Sequence, residues 1–184
     1  MKKFLSLFVL IICLNSTAAR ATEFEDQVRK IYSDLSALMN RNEIDIPAVI
    51  EFSKKYYADD VSLTVSILDA ITKNTDVSTI NKAQMIDRIH GNYAQAYGNH
   101  TEINISSLSF DRGPWHALVR YEMKYEARLK LVDKIGRHFE RPVHRYYKCE
   151  DELQRSARGY PQVTESDCKG AVLYGDIKYT AWHE

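Results

Sequence analysis

The chain has no excess of basic residues. It contains 25 Lys and Arg against 25 Asp and Glu, a formal net charge of zero. Without Lys2, Lys3 and Arg20, which belong to a predicted export signal, 22 basic residues face 25 acidic ones, a net charge near −3. Proteins that bind nucleic acid usually carry a basic surplus, so we expect no nucleic-acid partner.

Reactive motifs are also scarce. The sequence contains no Gly-rich phosphate loop, no G-x-S-x-G motif and no recognisable nucleophile constellation. Neither the cysteines nor the histidines occur in the CxxC or HxxxH spacing that metal sites use. We therefore expect no metal and no cofactor, and the sequence by itself does not state what the protein does.

Cysteine is rare, and its positions predict one disulfide. Of three cysteines, Cys13 lies in the export signal, which leaves Cys149 and Cys168. An isolated pair in an oxidising compartment indicates a structural bond. Closing the loop between them should contribute roughly 3 kcal/mol to stability on the chain-entropy estimate.

The first residues have the pattern of a bacterial export signal. Lys2 and Lys3 precede an apolar stretch at 4–14, and Ala19-Arg20-Ala21 is a small-x-small cleavage site. A helix of this stretch is too short for a bilayer core of about 30 Å. We predict a signal peptide at 1–21 and a single domain at 22–184, periplasmic or secreted, with no stable membrane anchor after cleavage.

The longest pattern is an alternation of apolar and polar residues from Trp115 to Leu131. Successive side chains of a strand point to opposite faces, so a period of two predicts one dry and one wet face. A straight strand of this length would extend roughly 55 Å, well beyond the usual length. The strand must therefore bend around something.

Helical periodicity precedes the strands. Capping residues and apolar stripes predict helices at Glu23–Arg41, Pro47–Tyr57 and Lys82–Tyr97, the last one stopped by Gly98. Between the last two helices we expect a strand at Val61–Ile67 and a polar loop at Thr72–Thr79.

The second half of the chain carries strand patterns. We predict strands at Glu102–Phe110, 115–131, Arg137–Leu153 and Ala171–Trp182, with a loop at Gln154–Lys169. The predicted class is α+β, with three N-terminal helices packed in a strongly curved, mostly antiparallel sheet.

This order of elements resembles the NTF2-like superfamily, also called SnoaL-like or cystatin-like α+β. The resemblance rests on a helix pair joined at Asn42-Glu43-Ile44-Asp45, a corner at Tyr57-Ala58-Asp59-Asp60-Val61, the third helix and the long hairpin. It implies a cone with an apolar pocket, which different members use as isomerases, dehydratases, immunity proteins, secretion scaffolds or ligand binders. Fold alone therefore leaves the activity open.

The resemblance also implies where a catalytic base would stand. Ketosteroid-isomerase-like members place a carboxylate a few residues after the corner, which here falls near Val65. No Asp or Glu occurs between Val61 and Leu68. Asp69 is the nearest carboxylate and the weak catalytic candidate, with a solvated loop carboxylate as the alternative.

Aromatic residues supply the candidate ligand pocket. All twelve tyrosines follow residue 21. Aromatic walls with hydroxyl groups suit a flat apolar ligand, although the same side chains could simply fill the core. The candidate pocket residues are Tyr56, Tyr93, Tyr97, Trp115, Tyr121, Met123 and Tyr125.

The return strand carries a candidate partner surface made of Arg137, Arg141, Arg145 and Lys148. The alternative is a wet face on which these side chains form cross-strand ion pairs. If the hairpin turns near Lys134, His144 should lie opposite Tyr125, and the register brings no histidine cluster together.

The sequence thus favours a non-catalytic exported module that binds a small apolar ligand or a protein partner, like a secretion scaffold or an immunity protein. The alternative is a lyase or isomerase of the ketosteroid-isomerase or dehydratase type. A homodimer through the open sheet face is a further option. A buried carboxylate of raised pKa that faces two hydroxyl donors in the pocket would favour the enzyme.

Overall fold

The computed structural model describes residues 22–70 and 72–176, and the backbone of 178–179. The predicted signal peptide at 1–21 and the end of the predicted last strand, including Trp182, lie outside the described residues. Within the described ranges, three helices precede or interrupt the first strands of one seven-stranded sheet.

The helices begin where the capping residues place them. Helix α1 covers 22–39, α2 covers Ile46–Tyr56 and α3 covers Lys82–Tyr93. The Asp45 carboxylate accepts a hydrogen bond from the backbone N–H of Ala48, and Asn81 with Gln84 forms a capping box. Side-chain caps satisfy backbone donors that have no partner within the helix.

The strands are long and follow the chain with short turns. Their bounds are β1 Tyr57–Asp69, β2 Thr75–Ile80, β3 Ala96–Ser109, β4 His116–Val132, β5 His138–Arg155, β6 Pro161–Tyr174 and β7 Lys178–Tyr179.

The strand order across the sheet is β2-β1-β6-β5-β4-β3, and β7 pairs with β5. Strands β1 and β6 run parallel, and the other pairs are antiparallel. Register shifts interrupt the β1–β6, β3–β4 and β5–β6 pairings. Such bulges bend a strand and increase its twist, so the sheet curves around the helices. The predicted α+β architecture is confirmed.

Two predicted loops are largely strand. The polar stretch at 72–79 contains β2, which pairs antiparallel with β1 as an edge strand. Much of the segment 154–169 belongs to β6, so Cys168 lies in the middle of a strand. Both stretches are polar because one or both of their faces meet water, which obscured the strand pattern.

The third helix is shorter than predicted. It ends at Tyr93, and Tyr97 and Gly98 already belong to β3. Gly98 has a φ of 60° inside the strand, and its N–H donates to the carbonyl oxygen of Asn42. The glycine therefore marks a bulge in β3 and not the end of the helix.

The apolar face of β4 packs on the helices as its period of two predicts. Tyr121 and Tyr125 are 6% and 4% exposed, and their rings lie against Tyr32 of α1 and Tyr93 of α3. Trp115, just before β4, makes an edge contact with Phe24 of α1. Burial of these large rings is a major stabilising contribution.

The β4–β5 register differs by one residue from the prediction. Tyr125 is opposite Arg145, and His144 is opposite Glu126. Directly opposed residues share a face, so the odd-numbered residues of β5 point toward the helices together with Tyr125. In the turn, the backbone N–H groups of Ile135 and Arg137 donate hydrogen bonds to the Asp133 carboxylate. The turn is therefore centred on Ile135 and not between Lys134 and Ile135, which moves every partner on β5 by one residue.

The other face of the hairpin carries ion pairs between strands. Lys148 lies 3.2 Å from Glu122, His144 lies 3.3 Å from Glu126, and Arg128 lies 3.8 Å from Glu140. These contacts correspond to the alternative interpretation of the basic strip. Exposed pairs of this kind contribute little to stability, about 0–1 kcal/mol each.

Gly170 of β6 gives room to the Tyr147 ring of β5. A Cβ atom on Gly170 would lie less than 3.0 Å from the Tyr146 carbonyl oxygen and from the ring of Tyr147. Because the carbonyl is backbone, we expect Gly170→Ala to lower the free energy of unfolding by about 2 kcal/mol in urea titrations.

Gly91 of α3 is the matched control for this substitution. A Cβ on Gly91 meets nothing within 4 Å, so Gly91→Ala should raise stability by about 1 kcal/mol through helix propensity. Equal effects at both glycines would contradict the steric role of Gly170.

Candidate functional site

A cavity of about 830 Å³ lies between the helices and the inner face of the sheet. Its volume falls in the range of small-molecule sites. Helices α1, α2 and α3 form one wall, and β1, β4, β5 and β6 form the other. The hairpin of β1 and β2 forms the rim, where the polar residues collect: Asp69, Thr72, Asn74, Thr75, Asp76 and Ser78.

Four of the seven candidate pocket residues line this cavity: Tyr93, Tyr121, Met123 and Tyr125. Tyr93 comes from α3, and the other three come from the odd-numbered positions of β4. The apolar and polar alternation of the sequence predicts that these three residues share the inner face, and curvature of the strand does not change that alternation.

The other three candidate pocket residues lie elsewhere. Tyr56, the last residue of α2, packs on Phe52 and near Tyr160. Tyr97 lies on β3 opposite Arg128, with the Lys130 ammonium 4.8 Å from its ring centre. Trp115 packs on Phe24 at one end of the molecule. Tyr97 does not line the cavity because α3 ends at Tyr93, and Tyr57 lines the cavity where its neighbour Tyr56 was expected.

Three further tyrosines line the cavity: Tyr57 at the start of β1, Tyr147 of β5 and Tyr174 of β6. None of these three tyrosines is among the seven candidate pocket residues. Tyr57 is the last residue of a predicted helix, and Tyr147 lies within the predicted return strand at 137–153. The odd positions of β5 are otherwise mainly apolar (Val143, Tyr147, Cys149, Leu153), and that alternation is the sequence signal for their inward direction.

Three of the cavity tyrosines, Tyr93, Tyr121 and Tyr147, remain protonated at neutral pH. Burial raises the pKa of Tyr93, Tyr121 and Tyr147, which disfavours the phenolate. The Tyr125 hydroxyl donates to the side-chain oxygen of Asn99 at 2.6 Å. The wall therefore offers an apolar aromatic surface with neutral hydroxyl groups that can donate or accept a hydrogen bond.

Arg145 is a charged residue in the sheet wall of this cavity. Its guanidinium carbon lies 5.6 Å from the centre of the Tyr125 ring, a cation–π distance. Its Nε atom is buried and has no hydrogen-bond partner among the described residues. The positive charge of Arg145 and its side-chain hydrogen bond to Tyr147 both oppose the increase of the Tyr147 pKa.

The four residues of the candidate partner surface do not share one face. Arg145 lines the cavity, whereas Lys148 pairs with Glu122 on the opposite face of the sheet. Arg141 stacks on Tyr174, and Arg137 pairs with Asp133 in the hairpin turn at 2.7 Å. Strand parity separates Lys148 from the three arginines, so the four side chains do not form one continuous surface.

Cys149 and Cys168 form a disulfide between the neighbouring strands β5 and β6. The two residues are directly opposed in the antiparallel pairing, and Cys168 lines the cavity. The predicted disulfide is confirmed, and it ties together two strands of the cavity wall.

A buried carboxylate lies next to the cavity. Asp151 of β5 is 1% exposed and accepts hydrogen bonds from the Tyr32 hydroxyl at 2.8 Å and the Ser166 hydroxyl at 2.6 Å. Burial raises its pKa to about 6, against the opposing effect of these hydroxyl donors and of Tyr121. Ser166 and Tyr121 line the cavity, and Asp151 sits behind them.

Comparisons with solved structures support the fold. The Kfla4162 protein of Kribbella flavida matches with a TM-score of 0.56 at 12% identity, over 86% of this chain and 95% of that one. A type 2 hexachlorocyclohexane dehydrochlorinase matches with a TM-score of 0.53 at 9% identity, over 89% and 93% of the two chains. The chain has the NTF2-like fold.

The NTF2-like cone is shared with proteins of different activities. A structure of naphthalene 1,2-dioxygenase with indole in its active site also matches, with a TM-score of 0.51 at 11% identity over 80% of this chain and 79% of that one. No protein-family model and no curated protein matches the sequence. Identities this low show a common fold and leave the activity to the residues of the cone.

Asp69, the weak catalytic candidate, lies at the rim of the NTF2-like cone at the end of β1. Its carboxylate accepts a hydrogen bond from the backbone N–H of Thr72 at 3.0 Å, and its backbone N–H donates to Asn74. These contacts order the turn between β1 and β2, a usual role of aspartate in turns.

Within the described residues, no group of three or more His, Cys, Asp and Glu side chains could hold a metal ion. No described helix is long and apolar enough to cross a membrane. The polar groups that line the described cavity include Arg145 of β5, Arg88 and Asn92 of α3, the tyrosine hydroxyls and the rim, and the Asp151 cluster lies behind the wall.

Proposed function

We propose that this chain is an exported, non-catalytic binding module that holds a small apolar ligand inside the NTF2-like cone. The observation that carries the proposal is the open cavity of about 830 Å³, lined by aromatic and aliphatic side chains. A cone filled by its own aromatic residues would instead have favoured a protein partner. Apolar surface facing an open cavity is stabilised when a ligand displaces water from it.

The outer surface gives less support to a protein partner. The exposed face of the β4–β5 hairpin carries paired charges. The large exposed apolar residues form one small group, Leu68, Val77 and Leu173 on the outer face of β1, β2 and β6, while Val132 and Ile135 lie at the β4–β5 turn. Protein interfaces usually have a contiguous apolar centre from which charges are depleted. Capture of a ligand inside the cone is therefore the stronger hypothesis, and a scaffold or immunity role is the weaker one.

Export is part of the proposal. The N-terminal residues have the pattern of a signal peptide, and the Cys149–Cys168 disulfide is stable only where thiols are not kept reduced. Both features support a periplasmic or secreted protein.

A lyase or isomerase is the second candidate, and Asp151 is the observation that favours it. A buried carboxylate of raised pKa with hydroxyl donors is a common feature of acid–base sites. However, the two oxygens already accept hydrogen bonds from Tyr32 and Ser166, and Asp151 lies behind the residues that line the cavity. A general base must reach the substrate proton, so the binding role is favoured.

The test is a fluorescence titration of the protein with pyrene-1-carboxamide, a flat, neutral and apolar probe. We expect saturable binding of one molecule per chain. Val65 and Ile67 of β1 line the cavity, and replacing both by tryptophan should weaken binding at least tenfold because the larger rings occupy the space.

Leu173→Trp is the matched control, since Leu173 is 54% exposed and does not line the cavity. It should leave the affinity unchanged. If the double variant loses its circular dichroism signal, the single Val65→Trp variant replaces it. Absence of saturable binding, or equal binding by the cavity variants, would refute the proposal.

A further inference from the structure

The inner face of β5 brings one cation into an apolar environment. Arg145 lies directly opposite Tyr125 of β4 and Val172 of β6, with Val143 and Tyr147 two positions away on its own strand. All five residues are on the same face of the sheet, because opposed and alternate residues share a face. The guanidinium is thus surrounded by aromatic and aliphatic side chains.

No carboxylate compensates this charge within the part of the chain that the structure describes. The ion pairs of the β4–β5 hairpin involve the residues of the opposite face or the hairpin turn. Asp151, the buried carboxylate of the same strand, is six residues away and accepts hydrogen bonds from Tyr32 and Ser166. Arg145 therefore has an Nε atom without a hydrogen-bond partner and no carboxylate partner at the cavity wall.

An unpaired cation in such surroundings costs stability. Removing a charge from water is expensive unless an opposite charge and hydrogen bonds replace its hydration. A stable fold that retains an arginine at this position has a use for it when the cavity is occupied. Arginine also binds carboxylates through two parallel hydrogen bonds, which lysine cannot do.

We propose that the ligand of the cone is an amphipathic anion, with an apolar body against the tyrosine wall and a carboxylate-type group bound by Arg145. This inference rests on the proposed function and specifies the class of its ligand. The Tyr147 hydroxyl, next to the guanidinium, donates a further hydrogen bond to the anion. The apolar body extends from there toward Tyr93 and Met123.

Arg88 of α3 adds a second positive charge to the same cavity. Its side chain is exposed, lines the cavity and donates a long hydrogen bond of 3.4 Å to the Ser78 hydroxyl. The rim also carries Asp69 and Asp76, so the lining near the β1–β2 hairpin contains charges of both signs. We assign the hydrogen bonds to the carboxylate-type group to Arg145 and not to Arg88, because Arg145 belongs to the sheet wall inside the cavity.

The experiment compares pyrene-1-carboxylate with pyrene-1-carboxamide, two probes of nearly identical shape that differ in charge. The wild-type protein should bind the carboxylate at least tenfold more tightly. Arg145→Met should abolish this preference by weakening carboxylate binding at least tenfold, while carboxamide binding changes less than threefold. Arg145→Lys should retain part of the preference, because the charge remains and the paired hydrogen bonds do not.

Arg158→Met is the matched control, because Arg158 is exposed in the β5–β6 turn and does not line the cavity. It should leave both affinities unchanged. A second readout is the thermal midpoint without ligand, which Arg145→Met should raise because the variant no longer contains an unpaired cation. A lower midpoint with retained carboxylate preference would assign Arg145 a structural role.

The outcomes separate the two proposals. If both probes bind the wild type equally well, the cone binds apolar ligands and the inference about the anion is wrong. If neither probe binds, the proposed function fails together with the inference. If the preference persists in Arg145→Met, the anion is bound elsewhere and the assignment to Arg145 is wrong.

Discussion

Replacing Cys149 and Cys168 together by alanine should lower the free energy of unfolding by about 3 kcal/mol. The disulfide closes a loop with a sequence separation of 19 residues, and the chain-entropy estimate for such a loop is about 3 kcal/mol. For a domain of this size the thermal midpoint should fall by about 6–12 °C. Thermal unfolding followed by circular dichroism measures the shift.

Reduction provides the control for this prediction. Dithiothreitol should lower the midpoint of the wild type to about that of the double variant and leave the variant itself unchanged. The opposite result, equal midpoints of oxidised wild type and variant, would show that the antiparallel pairing alone holds β5 and β6 together. Alkylation under denaturing conditions should find no free thiol at either position before reduction.

Replacing Asp151 by asparagine should change the pH dependence of stability. The pKa of Asp151 is raised to about 6 in the folded protein, against 3.8 for an unperturbed carboxyl group. Between these pH values the folded protein binds the proton more tightly than the unfolded chain. The contribution of this group is complete below about pH 4 and is lost as the pH rises through 6, a change of roughly 3 kcal/mol.

Asparagine stays neutral, so the Asp151→Asn variant should not lose this contribution. We expect its free energy of unfolding, relative to the wild type, to increase by roughly 3 kcal/mol between pH 4 and pH 7. Urea unfolding at a series of pH values measures the difference. Asp60→Asn removes an exposed carboxyl group of β1 and should give a difference that does not change with pH.

If the difference in free energy of unfolding between Asp151→Asn and the wild type did not change with pH, the hydroxyl donors would fully stabilise the ionised carboxylate. If this difference decreased as the pH rises, the hydroxyl donors would stabilise the ionised carboxylate by more than burial destabilises it. The second result would weaken the enzyme alternative, because a carboxylate whose pKa lies below its usual value is a poor base at neutral pH.

Strand parity made much of the fold and part of the site predictable. The alternation at 115–131 is long enough to specify both faces of β4, so Tyr121, Met123 and Tyr125 were correctly assigned to the inner side. Capping residues placed the starts of α2 and α3 within a residue of their observed positions. These signals are local, and local geometry is what a single sequence encodes most directly.

The errors arise where polarity conceals a strand or where a turn sets the register. Strand β2 and the first half of β6 are polar enough to be mistaken for loops, since an edge strand and a solvent-facing strand need few apolar residues. One residue of register between β4 and β5 moved Arg145 from the predicted outer surface to the cavity wall. Because side chains alternate between the two faces of a strand, a shift of one residue moves every side chain of β5 to the opposite face of the sheet.

The sequence by itself determined an α+β chain with a curved sheet, a wet face, a dry face and a pair of cysteines, because these depend on periodicity and composition. Only the tertiary structure decided that the dry face encloses an open cavity, that Arg145 lines this cavity while Asp151 is buried behind its wall, and that the cysteines are opposed on neighbouring strands. These properties depend on how distant segments meet, and the distance between two side chains across a sheet is not encoded in either segment alone.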